Sequence, residues 1–324
     1  MKSFFFPFFS LLLVVNVSLS KPEALEISLD KVKLLPGGKE ADGIVGDFLI
    51  RNDRIEAVIA HATPLRKANM GTFWGAENVT PGCLYDLTLR GAANDQITVF
   101  SPSRQQGKVS YVRISKDGSD GEAIVEVVVT STVSGALFKR HEYILKDGWQ
   151  GVLIRSTIRN EGDKLVDGPV TDKWTNFRSR GKIGSIEWAD SIDPADKAGY
   201  AYAWLPGKDG QIPPGTARLK PGDEIRIERF LAVGRSPAEA VGLVANQLEL
   251  KTGELSVQLK ENDGGPVSTG RLEVSTGGQV IPAYPDDDGR IRLLLPQGKA
   301  SVIFVDHGRM SMERDFTVGA KNVE

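Results

Sequence analysis

From residue 21 onward, apolar and polar residues alternate along most of the chain with a period of two, which predicts β-strands. Clear early examples are residues 24–35, 47–51 and 54–60, and a tight turn at Asn52 and Asp53 joins the last two. Further strands are predicted at 95–100, 107–115, 121–131, 136–146, 150–160, 200–204 and 224–233. Many antiparallel strands with short connections indicate a sandwich and argue against a nucleotide-binding α/β sheet.

One segment has the period of a helix. Ser236 and Glu239 form a capping box, with Pro237 at the first helical position. Apolar residues then fall on one face, at Val241, Val244, Ala245 and Leu248. The strand pattern resumes after Gly253, at residues 254–260, 270–274, 289–295, 299–306 and 310–318. We therefore predict that the helix closes a large domain and that a small second sandwich follows it.

The first 20 residues differ from the rest of the chain. A short positive region precedes an apolar run over residues 4–17, and small residues lie at Ser18 and Ser20. An anchor helix is the alternative, but the run is shorter than the roughly 20 residues that span a bilayer, and it contains Pro7 and Asn16. We predict a signal peptide that is cleaved after Ser20. The mature protein is then secreted or periplasmic and has no membrane anchor.

The composition limits the classes of function. The 324 residues contain 40 Lys and Arg against 42 Asp and Glu, so no basic excess indicates a nucleic-acid partner. A single Cys excludes an internal disulfide and any metal centre with several thiolates. Together with the patterning, this predicts an all-β protein in three parts: a signal peptide (1–20), a large antiparallel supersandwich with one short helix near its end (21–250), and a small Ig-like or transthyretin-like β-sandwich (251–324).

Two resemblances refine this organisation. Residues 284–304 contain an acidic turn ending in Gly, a strand, a Pro-x-Gly turn and a second strand. This segment resembles carboxypeptidase regulatory-like (transthyretin-like) modules, which implies a non-catalytic support or adhesion unit. Residues 138–162 are similar to the paired central strands of galactose-mutarotase-like supersandwich domains.

Together with residues 46–59, the same segment also resembles the β-rich region of exported CehA/McbA-like proteins, which precedes a metal-dependent PHP-type hydrolase domain. That hydrolase domain carries a Gly-Asp-Leu-His-x-His-like run, and this sequence has none. The resemblance therefore implies the accessory architecture without the catalytic domain.

The three histidines give little sign of metal chemistry. His61, His141 and His307 lie far apart, and none has a second His or Cys at ligand spacing. We expect unrelated surface or turn histidines and no metal site.

Sugar epimerases of the mutarotase-like fold use His and Glu as acid and base, but His141 and Glu142 are neighbours on one predicted strand. Neighbouring residues point to opposite faces of a sheet, so these two side chains cannot act on one ligand.

An acidic run at Asp286, Asp287 and Asp288 could suggest a calcium loop. An EF-hand needs a bidentate Glu at its twelfth position, and that position is Gln297 here. We expect instead a hairpin turn in which Gly289 adopts a positive φ.

Between residues 168 and 215 the strand pattern weakens and aromatic residues become frequent. Tyr200, Tyr202 and Trp204 share one face of a predicted strand, so they are expected to pack in a core or interface. Aromatic rings in irregular segments can stack on sugar rings, and nearby Arg side chains can bind their hydroxyls. The candidate ligand-binding residues are accordingly Trp174, Phe177, Arg178 and Trp188.

The leading hypothesis is an exported, non-catalytic recognition or scaffold protein that binds extracellular carbohydrate or a protein partner. It assigns no catalytic residue, cofactor or metal. The alternative is an enzyme or an enzyme accessory region, either epimerase-like or the non-catalytic part of a PHP-type metallohydrolase. A purely structural surface protein is the third hypothesis.

Overall fold

The computed structural model describes residues 21–63, 66, 80–105, 108–130, 137–175, 179–207, 215–306 and 313–319. The strands in these residues are β1 Glu23–Glu26, β2 Phe48–Arg51, β3 Ile55–Ile59, β4 Leu84–Leu89, β5 Val99–Ser101, β6 Lys108–Asp117, β7 Glu122–Thr130, β8 Leu137–Lys146, β9 Gly151–Asn160, β10 Val166–Pro169, β11 Lys173–Thr175, β12 Arg180–Ile183, β13 Ile186–Asp190, β14 Gly199–Trp204, β15 Thr216–Leu219, β16 Glu224–Gly234, β17 Thr252–Gln258, β18 Arg271–Thr276, β19 Gln279–Ala283, β20 Arg290–Pro296, β21 Gly298–Val305 and β22 Glu313–Val318. Helix α1 spans Pro237–Gln247, and 3-10 helices span Leu29–Leu34, Pro102–Gln105 and Pro194–Asp196.

Two antiparallel sheets form the large sandwich. The first has the strand order β1-β2-β3-β4-β5-β11, and the second has the order β12-β13-β14-β16-β9-β8-β7-β6. Their inward residues form one core, in which Ile50 and Leu87 of the first sheet and Val127 and Ile154 of the second are fully buried. Burial of this apolar surface between two sheets is the main source of stability. The predicted all-β fold is confirmed.

The turn between β2 and β3 lies where the sequence predicts it. This turn does not use a left-handed backbone, because the described residues with a positive φ do not include Asn52 or Asp53. Instead, Asn52 Oδ1 accepts hydrogen bonds from the backbone N–H groups of Arg54 and Ile55, at 2.8 and 2.9 Å. Its Nδ2 donates to the carbonyl of Lys146, at 2.9 Å, and so ties this turn to the second sheet.

Helix α1 begins with the predicted capping box. Ser236 Oγ accepts a hydrogen bond from the backbone N–H of Glu239 at 3.3 Å, and the Glu239 carboxylate accepts one from the backbone N–H of Arg235 at 2.9 Å. The helix contacts β13, β14 and β16 of the eight-stranded sheet on one side, and β17, β19 and β20 on the other. Its buried apolar residues, Val241 and Val244 among them, therefore belong to a core shared by both sides.

The C-terminal strands form two small antiparallel sheets, β17-β20 and β19-β18-β21-β22. Their buried residues, such as Leu255 and Val274, join α1 and the outer face of the large sheet, where Ile186 and Phe230 lie, in one apolar cluster. The predicted boundary after residue 250 falls between α1 and β17. The acidic turn before β20 is a hairpin turn as expected, with Gly289 at φ 73° and its N–H bonded to the Asp286 carbonyl.

Residues 24–35 are not one strand, as the alternation predicted. Strand β1 ends at Glu26, and a 3-10 helix follows over Leu29–Leu34. The chain leaves the sheet after Ile27, whose N–H donates to the Asp47 carbonyl. Leu29 is 83% exposed, so the alternation beyond this point has no buried face and does not specify a strand.

Residues 168–215 contain more regular structure than the sequence indicates. Strands β10 to β14 lie wholly or partly in this segment, and most are only three to five residues long. Strand β13 is buried on both faces, so its sequence lacks an alternating pattern. The same holds for β4, which the pattern also missed.

Gly242 lets α1 approach β20 closely. A Cβ atom at this position would lie 2.4 Å from the Leu294 carbonyl oxygen. Helix propensity alone would favour Ala by about 1 kcal/mol, but we expect Gly242→Ala to lower the free energy of unfolding by about 1 kcal/mol or more through overpacking. Chemical denaturation measures this change. Asn246→Ala, on the exposed side of α1, is the control and should leave stability unchanged or slightly raised; a stabilised Gly242→Ala would contradict the close packing.

Candidate functional site

Two of the four candidate ligand-binding residues lie on strands and in different cores. Trp174 is in β11, is 5% exposed and belongs to the core between the two large sheets. Trp188 is in β13, is 6% exposed and belongs to the core around α1. The two rings therefore lie on regular strands and apart from each other, and not together in an irregular segment. Phe177 and Arg178 lie outside the described residues.

Local packing accounts for both tryptophans. The Trp174 ring lies 5.7 Å from the Tyr202 ring, and the Arg180 guanidinium lies 4.8 Å from the centre of the Trp174 ring. Trp188 lies opposite Gly181 in the β12–β13 pair. A Cβ atom at Gly181 would be 2.4 Å from carbon atoms of the indole, so glycine makes room for this ring.

His141 is fully buried, and the expectation of a surface or turn histidine was wrong for it. The predicted alternation along β8 is confirmed. Tyr143 and Leu145 share its buried face, whereas Glu142 points to the other face and lies 3.6 Å from Arg155. His61 is partly buried and stacks on a phenylalanine ring. His307 lies outside the described residues.

His141 belongs to a buried polar network centred on Arg229. The side chains of Arg229 and Asp172 are 0% and 1% exposed, and they form a bidentate ion pair. Arg229 Nε and Nη2 donate to the two Asp172 oxygens at 2.9 and 2.8 Å. Arg229 also donates to Ser156 Oγ at 2.5 Å and to Ser103 Oγ at 2.8 Å.

Further donors surround the Asp172 carboxylate. The Ser103 backbone N–H donates to Asp172 Oδ1 at 2.8 Å. The Trp204 indole N–H donates to Oδ2 at 3.0 Å, and the Tyr202 hydroxyl donates to the same oxygen. The aromatic face predicted for β14 thus reaches into the sandwich, and its third member, Tyr200, also has polar partners: its hydroxyl donates to the Leu87 carbonyl and accepts from the Gln96 backbone N–H. So many donors offset the cost of removing the carboxylate from water.

The hydrogen bonds also connect His141 to this network. Arg229 can only donate, so Ser156 Oγ accepts from it, and the same oxygen forms a hydrogen bond of 2.6 Å with His141 Nδ1. Burial, together with the positive charges of Arg229 and Lys139, lowers the pKa of His141 well below its ordinary value. The ring therefore stays neutral and serves as a structural partner of Ser156.

Sequence reasoning missed this network, although β16 carries a signal of it. Arg229 occupies an inward position between Ile227 and Leu231, both of which are buried. A charged residue on the apolar face of a strand requires a buried partner. The sequence does not say which acidic residue supplies it, because Asp172 lies 57 positions away.

A cleft of about 600 Å³ lies beside the Gly277–Gly278 turn that joins β18 to β19. Ser275, Ser301 and Asp315 are aligned across β18, β21 and β22 in its wall. Lys299 and Phe316 also line it. The wall thus combines hydroxyls, a carboxylate and an ammonium group, whereas the Phe316 ring packs against the core on the other face of the sheet. Such a set offers donors and acceptors to a small polar ligand.

In the described part of the chain, no group of three or more His, Cys, Asp or Glu side chains is placed to hold a metal ion. None of the described helices is long and apolar enough to cross a membrane.

No protein-family model matches the chain, and no curated protein is significantly similar to it. A TPR-domain containing protein from Parabacteroides distasonis ATCC 8503 is similar in structure, at 11% identity and a TM-score of 0.39. A polysaccharide lyase has 14% identity and a TM-score of 0.30, and heparan sulfate lyase HepC from Pedobacter heparinus has 9% and 0.37.

These matches cover 67%, 72% and 75% of this chain, and 50%, 44% and 40% of the matched structures. The chain thus spans half or less of their length. At such TM-scores the likeness supports no conclusion about fold or function.

We expect Asp172→Asn to lower the free energy of unfolding by about 3–5 kcal/mol, because it leaves the Arg229 charge buried without a counter-charge. Chemical denaturation followed by tryptophan fluorescence measures the loss. Glu273→Gln removes one partner of an exposed ion pair with Arg271 and is the control, expected to cost less than about 1 kcal/mol. Equal losses in the two variants would contradict the role assigned to the network.

Lys139 gives the network a dependence on pH. Burial, reinforced by the Arg229 charge, lowers the pKa of Lys139 from 10.5 to about 8. The folded protein therefore binds this proton less tightly than the unfolded chain, and the contribution of Lys139 to stability rises between pH 8 and 10.5. Relative to Lys139→Met, the wild type should gain about 2 kcal/mol from pH 8 to pH 10. Denaturation of both proteins across this range tests it, and parallel curves would contradict the lowered pKa.

Proposed function

We propose that the protein is an exported, non-catalytic recognition or scaffold protein that binds carbohydrate in the cleft between β18, β21 and β22. The chemistry of the cleft wall supports this proposal. Ser275 and Ser301 present hydroxyls, Lys299 donates, and Asp315 accepts. A sugar ring displays hydroxyls that need both donors and acceptors.

The size and rigidity of the cleft favour the same function. Its volume of about 600 Å³ lies within the range of small-molecule sites. Paired strands hold the wall residues in place, with Ser275 opposite Ser301 and Ser301 opposite Asp315. Strand pairing fixes the backbone positions from which these side chains extend, so the wall need not rearrange its backbone when a ligand binds.

The enzymatic alternative has less support. Acid and base catalysis at a sugar carbon needs two groups on opposite sides of the ring, and among the described residues Asp315 is the one carboxylate that lines the cleft. His141 is fully buried, and Glu142 faces away from it.

The proposal also includes three features predicted from the sequence. They are the signal peptide at residues 1–20, the division into two domains after residue 250, and the relationships to mutarotase-like and transthyretin-like domains. Residues 1–20 lie outside the described residues.

A glycan array, followed by isothermal titration with the glycans that bind, tests the proposal. We expect the double variant Lys299→Ala/Asp315→Ala to weaken binding by at least about tenfold, because it removes two charged hydrogen-bonding groups. The double variant Lys251→Ala/Asp287→Ala makes the same charge changes at exposed positions outside the cleft lining, and should bind as the wild type does. An array without a single bound glycan, or full affinity in the cleft variant, would refute the proposal.

A further inference from the structure

The outer face of strands β6, β7, β8, β9 and β16 carries a row of two arginines and three glutamates. Strand register aligns one residue from each strand, in the order Arg113, Glu126, Glu142, Arg155 and Glu228. Arg113 pairs with Glu126 at 2.8 Å, and Arg155 pairs with Glu228 at 2.8 Å. Adjacent strands are about 4.8 Å apart, so the row crosses roughly 19 Å of the sheet surface.

The neighbouring row differs because it contains no carboxylate. Register aligns Tyr111, Val128, Arg140, Thr157 and Arg226 in it. Arg140 is at its centre. Among the described residues no carboxylate lies within ion-pair distance of this guanidinium, and its buried Nε has no hydrogen-bond partner. The buried Nε is not within reach of a ligand, but a guanidinium without a counter-charge can bind a planar anion through its two terminal nitrogen atoms.

The edges of this face are open to solvent. The side chains of Arg113 and Arg226 are 61% and 55% exposed, and Tyr111 is also exposed. Val128 and Thr157, on either side of Arg140, are buried, and Arg140 itself is partly exposed. A ligand can therefore reach the row at Tyr111, at Arg226 and at the exposed part of Arg140.

We infer that this face is a second binding site and that Arg140 binds the carboxylate of an acidic sugar. The row of charges lies about 7 Å away, two residues along each strand, and its Arg and Glu side chains can bind the hydroxyls of the same sugar. An acidic peptide matches this face less well, because its units carry carboxylates but no hydroxyls that could donate to Glu126, Glu142 and Glu228. A uronic acid unit carries both groups: its carboxylate can bind Arg140, and its hydroxyls can donate to the glutamates.

The inference does not rest on the cleft between β18, β21 and β22, because the two sites share no residue. Loss of binding in cleft variants leaves it intact, and loss of binding in Arg140 variants leaves the proposed cleft function intact.

The test compares three soluble ligands of four units: tetragalacturonate, maltotetraose and tetraglutamate. Isothermal titration at low and moderate salt should detect tetragalacturonate, with binding at least tenfold tighter than that of the other two. Arg140→Gln should weaken tetragalacturonate binding at least tenfold. Arg140→Lys should weaken it less, because it keeps the charge and loses the planar fork.

Arg218→Gln is the matched control, since Arg218 is 73% exposed on β15, outside this face, and it should bind as the wild type does. Arg226→Gln changes an exposed member of the Arg140 row. It should weaken binding at least threefold even if Arg140→Gln does not fold. Three results would each overturn the inference: equal binding of tetraglutamate, equal losses in Arg140→Gln and Arg218→Gln, or unchanged affinity in both Arg140→Gln and Arg226→Gln.

Discussion

A fully buried guanidinium has to be neutralised, and the interior of the large sandwich is organised around this requirement. Arg229 on β16 is satisfied by Asp172, Ser103 and Ser156, which come from three separate parts of the chain. The contact fixes the segment before β11 and the 3-10 helix at Pro102–Gln105 against the eight-stranded sheet. Because the same carboxylate accepts from Trp204, the position of β14 depends on this pair as well.

Helix α1 is the second constraint, since it serves two cores at once. One side packs on the large sheet, and the other side packs on the small C-terminal sheets. Gly242 allows the backbone of β20 to approach at a distance that a side chain would prevent. The small sheets are therefore held against the large sandwich by apolar packing, and their cleft has a rigid support.

The tryptophans that the sequence suggests as ligand contacts are buried, whereas charged residues on regular strands remain accessible. The tryptophans proposed as ligand contacts, Trp174 and Trp188, fill two cores because large rings gain most from leaving water. The polar groups that remain open to a ligand lie on regular strands. Their spacing follows from register, as in the rows that contain Arg140 and Asp315.

The sequence by itself determined the all-β class, most of the long strands and the capped helix, because alternation and a capping box are local signals. It also placed His141 and Glu142 on opposite faces. The pattern of apolar and polar residues did not predict short strands that are buried on both faces, such as β13, because such strands lack the alternation. Only the tertiary structure decided that Asp172 pairs with Arg229 and that no carboxylate of the described residues lies within ion-pair distance of Arg140. Those facts depend on which distant strands become neighbours and in which register, and no local pattern contains that information.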